Sequence, residues 1–128
     1  MTPTPTTPAA VIERFSACLN AGDLDAALAL YEAGATFAAS PDATVTGEDA
    51  IRAALEQFLA LAPRMTGKID KVLEAGDTAL VVNAWTLDGT SPADGSPVRM
   101  AGRSADVVRR QPDGSWKVVI DDPWGGGA

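Results

Sequence analysis

The chain has 128 residues, 46% of them hydrophobic and 21% charged, proportions that fit one globular domain with enough apolar surface for a core. Ten Lys plus Arg against 17 Asp plus Glu give a net charge of −7, which argues against nucleic acid or an anionic membrane as a partner, since both attract cationic surfaces. With no His and a single Cys, neither a Cys/His zinc site, nor a Ser-His-Asp triad, nor an internal disulfide can be assembled. The chemistry left is that of carboxylates, amides, hydroxyls and cations in an apolar setting, and neither a metal nor a cofactor is assigned.

No apolar run approaches the roughly 20 residues needed to span a bilayer, and the start of the chain has no basic stretch followed by an apolar one, so a cytoplasmic protein is expected. Met1–Pro8, all Thr and Pro after the first residue, reads as a disordered leader. Residues 9–124 read as a single domain, and 125–128, three Gly and an Ala, as a flexible tail.

From Ala9 to Ala21, Val11, Ile12, Phe15, Cys18 and Leu19 recur at three- and four-residue spacing, which predicts an amphipathic helix ended by Gly22. Asp23 is placed to cap a second helix with Leu24, Ala27, Leu28 and Tyr31 as its buried stripe, stopping at Gly34. A third is predicted from Thr46, where Thr46 and Asp49 make a capping-box-like pair, through Ile51, Leu55, Phe58, Leu59 and Ala62 to Pro63. Beyond Pro63 the period falls to two. Strands are predicted over 35–39, 65–75, 78–87, 98–110 and 115–121, with turns at Gly76-Asp77, Asp94-Gly95 and Asp113-Gly114. Helices in the first half and strands in the second make an α+β protein, its antiparallel sheet covered on one face by the three helices.

The run Ala29-Leu30-Tyr31-Glu32-Ala33-Gly34-Ala35-Thr36-Phe37, followed by Thr46-Gly47-Glu48-Asp49-Ala50-Ile51-Arg52, resembles the nuclear transport factor 2-like superfamily, with its ketosteroid isomerases and SnoaL-like polyketide cyclases. Asp106-Val107-Val108-Arg109-Arg110 and Asp113-Gly114-Ser115-Trp116-Lys117 match the same pattern. The resemblance spans roughly residues 9–124. It implies a cone-shaped fold in which three helices pack inside a strongly curved, mainly antiparallel sheet around a central pocket. It also implies a homodimer formed through the sheet.

Ketosteroid isomerases use an Asp base with an oxyanion hole of one Tyr and one protonated Asp. Without gaps, the oxyanion-hole Asp falls on Asp106, the Tyr on Phe15 and the base on Ala39, so the resemblance implies an isomerase or cyclase without the usual Tyr and general-base Asp. SnoaL-like cyclases place an acid or base late in the sheet, which points to Asp121 or Asp122.

The residues themselves support a site in the same region. Met100, Gly102, Ser104, Asp106 and Val108 share one strand face, and Arg99, Arg103 and Arg109 the other, so the first face is expected to be concave and the Asp106 carboxyl to have a raised pKa. If the faces are reversed, Asp106 instead pairs with an Arg. A five-residue loop over 111–115 sets Asp106 opposite Ile120 and Ser104 opposite Asp122; a four-residue loop substitutes Val119 and Asp121. Either way one further carboxylate is expected beside Asp106, unless both late acids merely cap a strand end. Asn83 and Trp85, on the face of Ala79, Val81 and Leu87, are candidate ligand contacts. Phe15, Phe37, Met100, Ser104 and Trp124 complete the candidate lining. Three functions stay open at this point: proton transfer next to a carbonyl on an apolar substrate, with Asp106, Asp121 and Asp122 as catalytic candidates; non-catalytic binding of a small apolar molecule; or a dimeric scaffold.

Overall fold

Thr7 opens the first helix by accepting a hydrogen bond from the Ala10 amide at 3.2 Å, and Gly22, at φ 71°, closes it in the left-handed region where a glycine carries no steric cost. Helix α1 (Pro8–Ala21) is followed by α2 (Leu24–Leu28), whose first turn is capped by the Asp23 carboxylate on the Ala26 amide at 3.1 Å. The computed structural model describes residues 5–127. Helix α3 spans Glu48–Leu59, and the strands are β1 (Tyr31–Ser40), β2 (Ala43–Thr46), β3 (Arg64–Ala75), β4 (Thr78–Thr90), β5 (Pro97–Arg110) and β6 (Trp116–Asp122).

The six strands form one sheet in the order β2-β1-β6-β5-β4-β3. Only β1 and β6 run parallel; every other neighbouring pair is antiparallel. Register shifts interrupt β1/β2, β1/β6, β3/β4 and β5/β6, and such bulges bend a strand and deepen its twist. The result is the α+β half-open cone: a curved sheet whose inner face holds Ala79, Val81, Val108 and Val118 against Val11, Leu19, Ile51 and Leu55 of the helices.

Two expectations from the sequence change. The second helix stops at Leu28, and Tyr31, placed on its stripe by spacing, belongs to β1 instead. Here tertiary pairing overrides local propensity: the Leu30 carbonyl accepts from the Val118 amide at 2.7 Å, committing the chain to the sheet. The capping pair of Thr46 and Asp49 does not form. Thr46 ends β2, its hydroxyl 3.0 Å from that of Thr36, and Gly47 takes the cap position without a side chain to offer. Within the stretches read as leader and tail, some described residues make contacts with the domain. Pro5 is buried and its carbonyl accepts from the Trp116 amide at 3.0 Å, while the Gly126 amide donates to the Arg103 carbonyl at 2.9 Å. Met1–Thr4 and Ala128 lie outside the described residues.

Candidate active site

The end of β6 departs from simple alternation, and the departure makes the site. The hairpin loop is five residues long and begins in the corresponding register, Arg110 opposite Trp116 and Val108 opposite Val118; Val119 is then an extra residue, and beyond it Asp106 pairs with Asp121. Trp116 and Val118 therefore face the core, Ile120 turns outward to 44% exposure, and Asp121 turns inward to 8%. A regular strand of either loop length would have set Ile120 or Val119 opposite Asp106. The bulge instead sets two carboxyls side by side on the inner face, with Asp106 only 3% exposed.

Tyr31, the only tyrosine in the chain, reaches the pair from β1, its hydroxyl donating to Asp121 Oδ2 at 2.5 Å. The phenol hydroxyl absent at Phe15 thus comes from a different element. Phe15 lies edge-on to the Tyr31 ring at 5.9 Å. On the other side, Asp106 Oδ1 accepts from the Asp122 backbone amide at 3.1 Å.

The electrostatics follow from what surrounds these groups. Burial, then the neighbouring Asp121 charge, raises the Asp106 carboxyl well above the usual carboxylate range. Burial also raises Asp121, but hydrogen bonds from Asp106 and Tyr31 to its ionised form act against this. The two carboxyls titrate as a coupled pair, in which the hydrogen bond from Tyr31 favours the ionised form of Asp121 while Asp106 is held well above the usual carboxylate range. Burial and the Asp121 charge push the Tyr31 hydroxyl well above its ordinary value, so it stays a donor. Among the described residues no cation relieves the pair. The four arginines of β5 all reach acids elsewhere: Arg99 to Asp88 at 2.8 Å, Arg103 to Asp70 at 2.9 Å, Arg109 to Glu32 at 2.8 Å, and Arg110 to Asp77.

Asp106 and Asp121 open into a cavity with about 60 Å³ of room for water centres, enough for a few waters at about 10–15 Å³ each. Of the sequence candidates, Phe15, Phe37, Asn83, Trp85, Ser104 and Trp124 line it together with the two carboxyls. The remaining walls come from Ile12, Ser16 and Leu19 of α1, Leu55 and Phe58 of α3, and Met65, Leu87, Val118 and Pro123. Two candidates lie elsewhere. The Asp122 carboxylate turns into the C-terminal turn and accepts from the Trp124 amide at 3.2 Å, because the Val119 bulge gives the inward position to Asp121. Met100, half-buried opposite Leu87, is not part of the lining. Tyr31 is the site residue that sequence reasoning missed. No alternation signals it, because a register shift between Tyr31 and Thr36 leaves Ala33 exposed between the inward Tyr31 and Ala35. Among the described residues no group of three or more acidic, Cys or His side chains is arranged to hold a metal ion.

Comparison with known proteins places this geometry in a family. No curated protein sequence matches the chain significantly. Its fold is similar to that of a ketosteroid isomerase-like protein from Erwinia carotovora, with TM-score 0.75, 21% identity and 88% of each chain covered. It is also similar to a nuclear transport factor 2-like superfamily protein from Salmonella enterica, with TM-score 0.74, 18% identity and 92% and 89% of the two chains covered. A third is a protein provisionally assigned as a scytalone dehydratase from Novosphingobium aromaticivorans, with TM-score 0.76, 18% identity, and 87% of this chain and 76% of that one covered. At these identities the likeness is one of fold. A family model described as a SnoaL-like domain matches residues 12–119, and the chain belongs to that family.

Proposed function

We propose that the protein catalyses proton transfer next to a carbonyl on a small, largely apolar substrate, with Asp121 as base and Asp106 as acid. The observation that carries this reading is the pairing of two buried carboxyls across β5 and β6, opened to an apolar cavity and left without a cation. Two such groups split their titrations, which gives a His-free site one ionised and one protonated member at the same pH. Asp121 takes the proton from the carbon next to the carbonyl. Asp106 meets the charge developing on the carbonyl oxygen with its O–H, and Tyr31 holds the Asp121 carboxylate in place. Return of the proton from Asp121 to a different carbon of a conjugated substrate completes an isomerisation; alternatively the enolate carbon attacks a second carbonyl, the first carbonyl re-forms, and the new alkoxide takes the proton held by Asp121, completing a cyclisation. The names of the ketosteroid isomerase-like and scytalone dehydratase-like neighbours are in keeping with enolate chemistry.

The test is deuterium exchange from heavy water into a panel of small cyclic and aryl ketones, followed by NMR. The reading expects exchange next to the carbonyl, reduced on the order of 10²- to 10⁴-fold in Asp121→Asn and in Asp106→Asn. Exchange at the same rate in both variants as in the unaltered protein would contradict it, as would a cavity that binds ketones and never exchanges them. A small apolar molecule as the pocket's ligand, a homodimer formed through the sheet, and a cytoplasmic location without nucleic-acid or membrane contact belong to the same proposal. No helix among the described residues is long and apolar enough to cross a membrane, and sedimentation measures the dimer directly.

A further inference from the structure

After Asp122 the chain turns back across β5 instead of leaving the sheet. Pro123 accepts a hydrogen bond at its carbonyl from the Trp85 indole at 2.8 Å. Three residues on, the Gly126 amide donates to the Arg103 carbonyl at 2.9 Å. The approach is so close that a side chain on Gly126 is excluded, and the Trp85 ring that holds Pro123 excludes one on Gly102. A Cβ on Gly126 would stand 2.8 Å from the Ser104 carbonyl oxygen, and one on Gly102 would stand 2.9 Å from the Trp85 ring. This fastened segment delivers Trp124 into the cavity wall, edge-on to Trp85 at 5.2 Å.

The Trp124 Nε1 is buried and has no hydrogen-bond partner among the described residues. A buried indole N–H normally finds an acceptor, since leaving it bare forfeits its hydration without return. Two polar groups beside it are already engaged by backbone, the Trp85 indole by the Pro123 carbonyl and the Ser104 hydroxyl by the Asn83 carbonyl at 3.3 Å. The free donor therefore points to an acceptor brought in from outside. The lining contains two carboxyls and no Lys or Arg, so an anionic acceptor is repelled and a neutral oxygen is accommodated.

We propose that Trp124 is a specificity-determining residue whose indole N–H binds a neutral oxygen on the ligand, so that the cavity takes a cyclic or aromatic carbonyl compound carrying a second, uncharged oxygen. The carbonyl in that description rests on the proton-transfer reading above; the second oxygen rests on Trp124 alone. Three probes separate the cases: acetophenone, its 3- and 4-hydroxy derivatives, and the 4-acetylbenzoate anion. Affinities are measured by calorimetry in the unaltered protein, in Asp106→Asn and in Trp124→Phe, which keeps an aromatic ring and removes only the donor. The better hydroxyacetophenone is expected to bind about three- to tenfold more tightly than acetophenone, the worth of one neutral hydrogen bond, and this preference vanishes in Trp124→Phe. The anion is expected to bind more weakly than acetophenone. In the unaltered protein the Trp124 indole proton resonance moves downfield with the hydroxy compound and not with acetophenone.

A preference that survives in Trp124→Phe, or an indole resonance that stays in place when the hydroxy compound binds, would overturn the assignment. Asp106→Asn distinguishes the two claims. In that variant, lost exchange with the preference intact supports both claims, and intact exchange with the preference intact overturns the proton-transfer reading alone; exchange without a preference in the unaltered protein removes the assignment of Trp124 alone.

Discussion

The two faces of β5 carry charge in opposite ways. Arg103 and Arg109 point outward, each to a carboxylate within 2.9 Å, on side chains 39% and 50% exposed. Ser104 and Asp106, their neighbours in the chain, point inward and are 4% and 3% exposed, with the second carboxyl of Asp121 beside them and no cation. The electrostatic consequences have opposite signs. Glu32 on the outer side feels burial pushing its pKa up, but hydrogen bonds from Arg109 and Gln111 outweigh it and the group is lowered. Asp106 and Asp121 are raised. One face of a strand is thus arranged for ordinary surface ion pairing, and the other holds a proton that an unfolded chain would have lost. That contrast supports the proposed site more than fold likeness does.

Breaking the inner arrangement should have the largest effect. Replacing Asp121 or Asp106 by Asn is expected to remove proton transfer by on the order of 10²- to 10⁴-fold, read as isotope exchange. Such a substitution should also reveal that the site costs stability. A carboxyl raised in the folded state favours folding below its unfolded value, about 3.9, and that contribution is lost as pH rises toward the folded value. Asp106→Asn, which cannot ionise, should therefore gain stability relative to the unaltered protein from about pH 4 upward, by up to about 1.4 kcal/mol per pH unit within that window. Urea melts at a series of pH values check this, and a difference that is flat with pH would contradict it.

Removing the Tyr31 hydroxyl is a smaller change. Tyr31→Phe deletes a donor to the ionised form of Asp121, so the Asp121 pKa should rise further and the acid limb of the pH–rate profile should move to higher pH. The lost bond to a charged group is expected to cost about 1.5–3 kcal/mol at pH values where Asp121 is ionised. The outer face should give the smallest effect. Arg109→Ala breaks an exposed pair with Glu32, so thermal unfolding should shift by a few degrees at most, the equivalent of about 0.2–1 kcal/mol, with exchange activity unchanged. Glu32 also reverses the pH dependence: its contribution is present above its unfolded value of about 4.3 and is lost as pH falls.

Much of the sheet was legible because β3, β4 and β5 alternate cleanly: the expected spans 65–75, 78–87 and 98–110 differ from the observed strands by at most three residues at either end. The inward face of Ser104 and Asp106 followed from the three arginines opposite. What remained unreadable depended on single-residue events with no compositional mark. Nothing in Val118-Val119-Ile120 announces which residue is extra, yet that bulge decides between Asp121 and Asp122. Tyr31 was hidden by a helical spacing that happened to continue past Leu28, and β2 by its brevity and exposure. The bare Trp124 donor depends on Gly102 and Gly126 allowing the last residues to lie flat on β5, a tertiary contact that a linear reading does not contain.

Carboxyl carbon NMR of the Asp-labelled protein, titrated from pH 3 to 9, measures the inner arrangement most directly. The account predicts two coupled transitions, with the Asp121 signal ionising first and Asp106 retaining its proton well past the pH at which exposed aspartates have lost theirs. Independent titration of both signals near the ordinary aspartate value would contradict it.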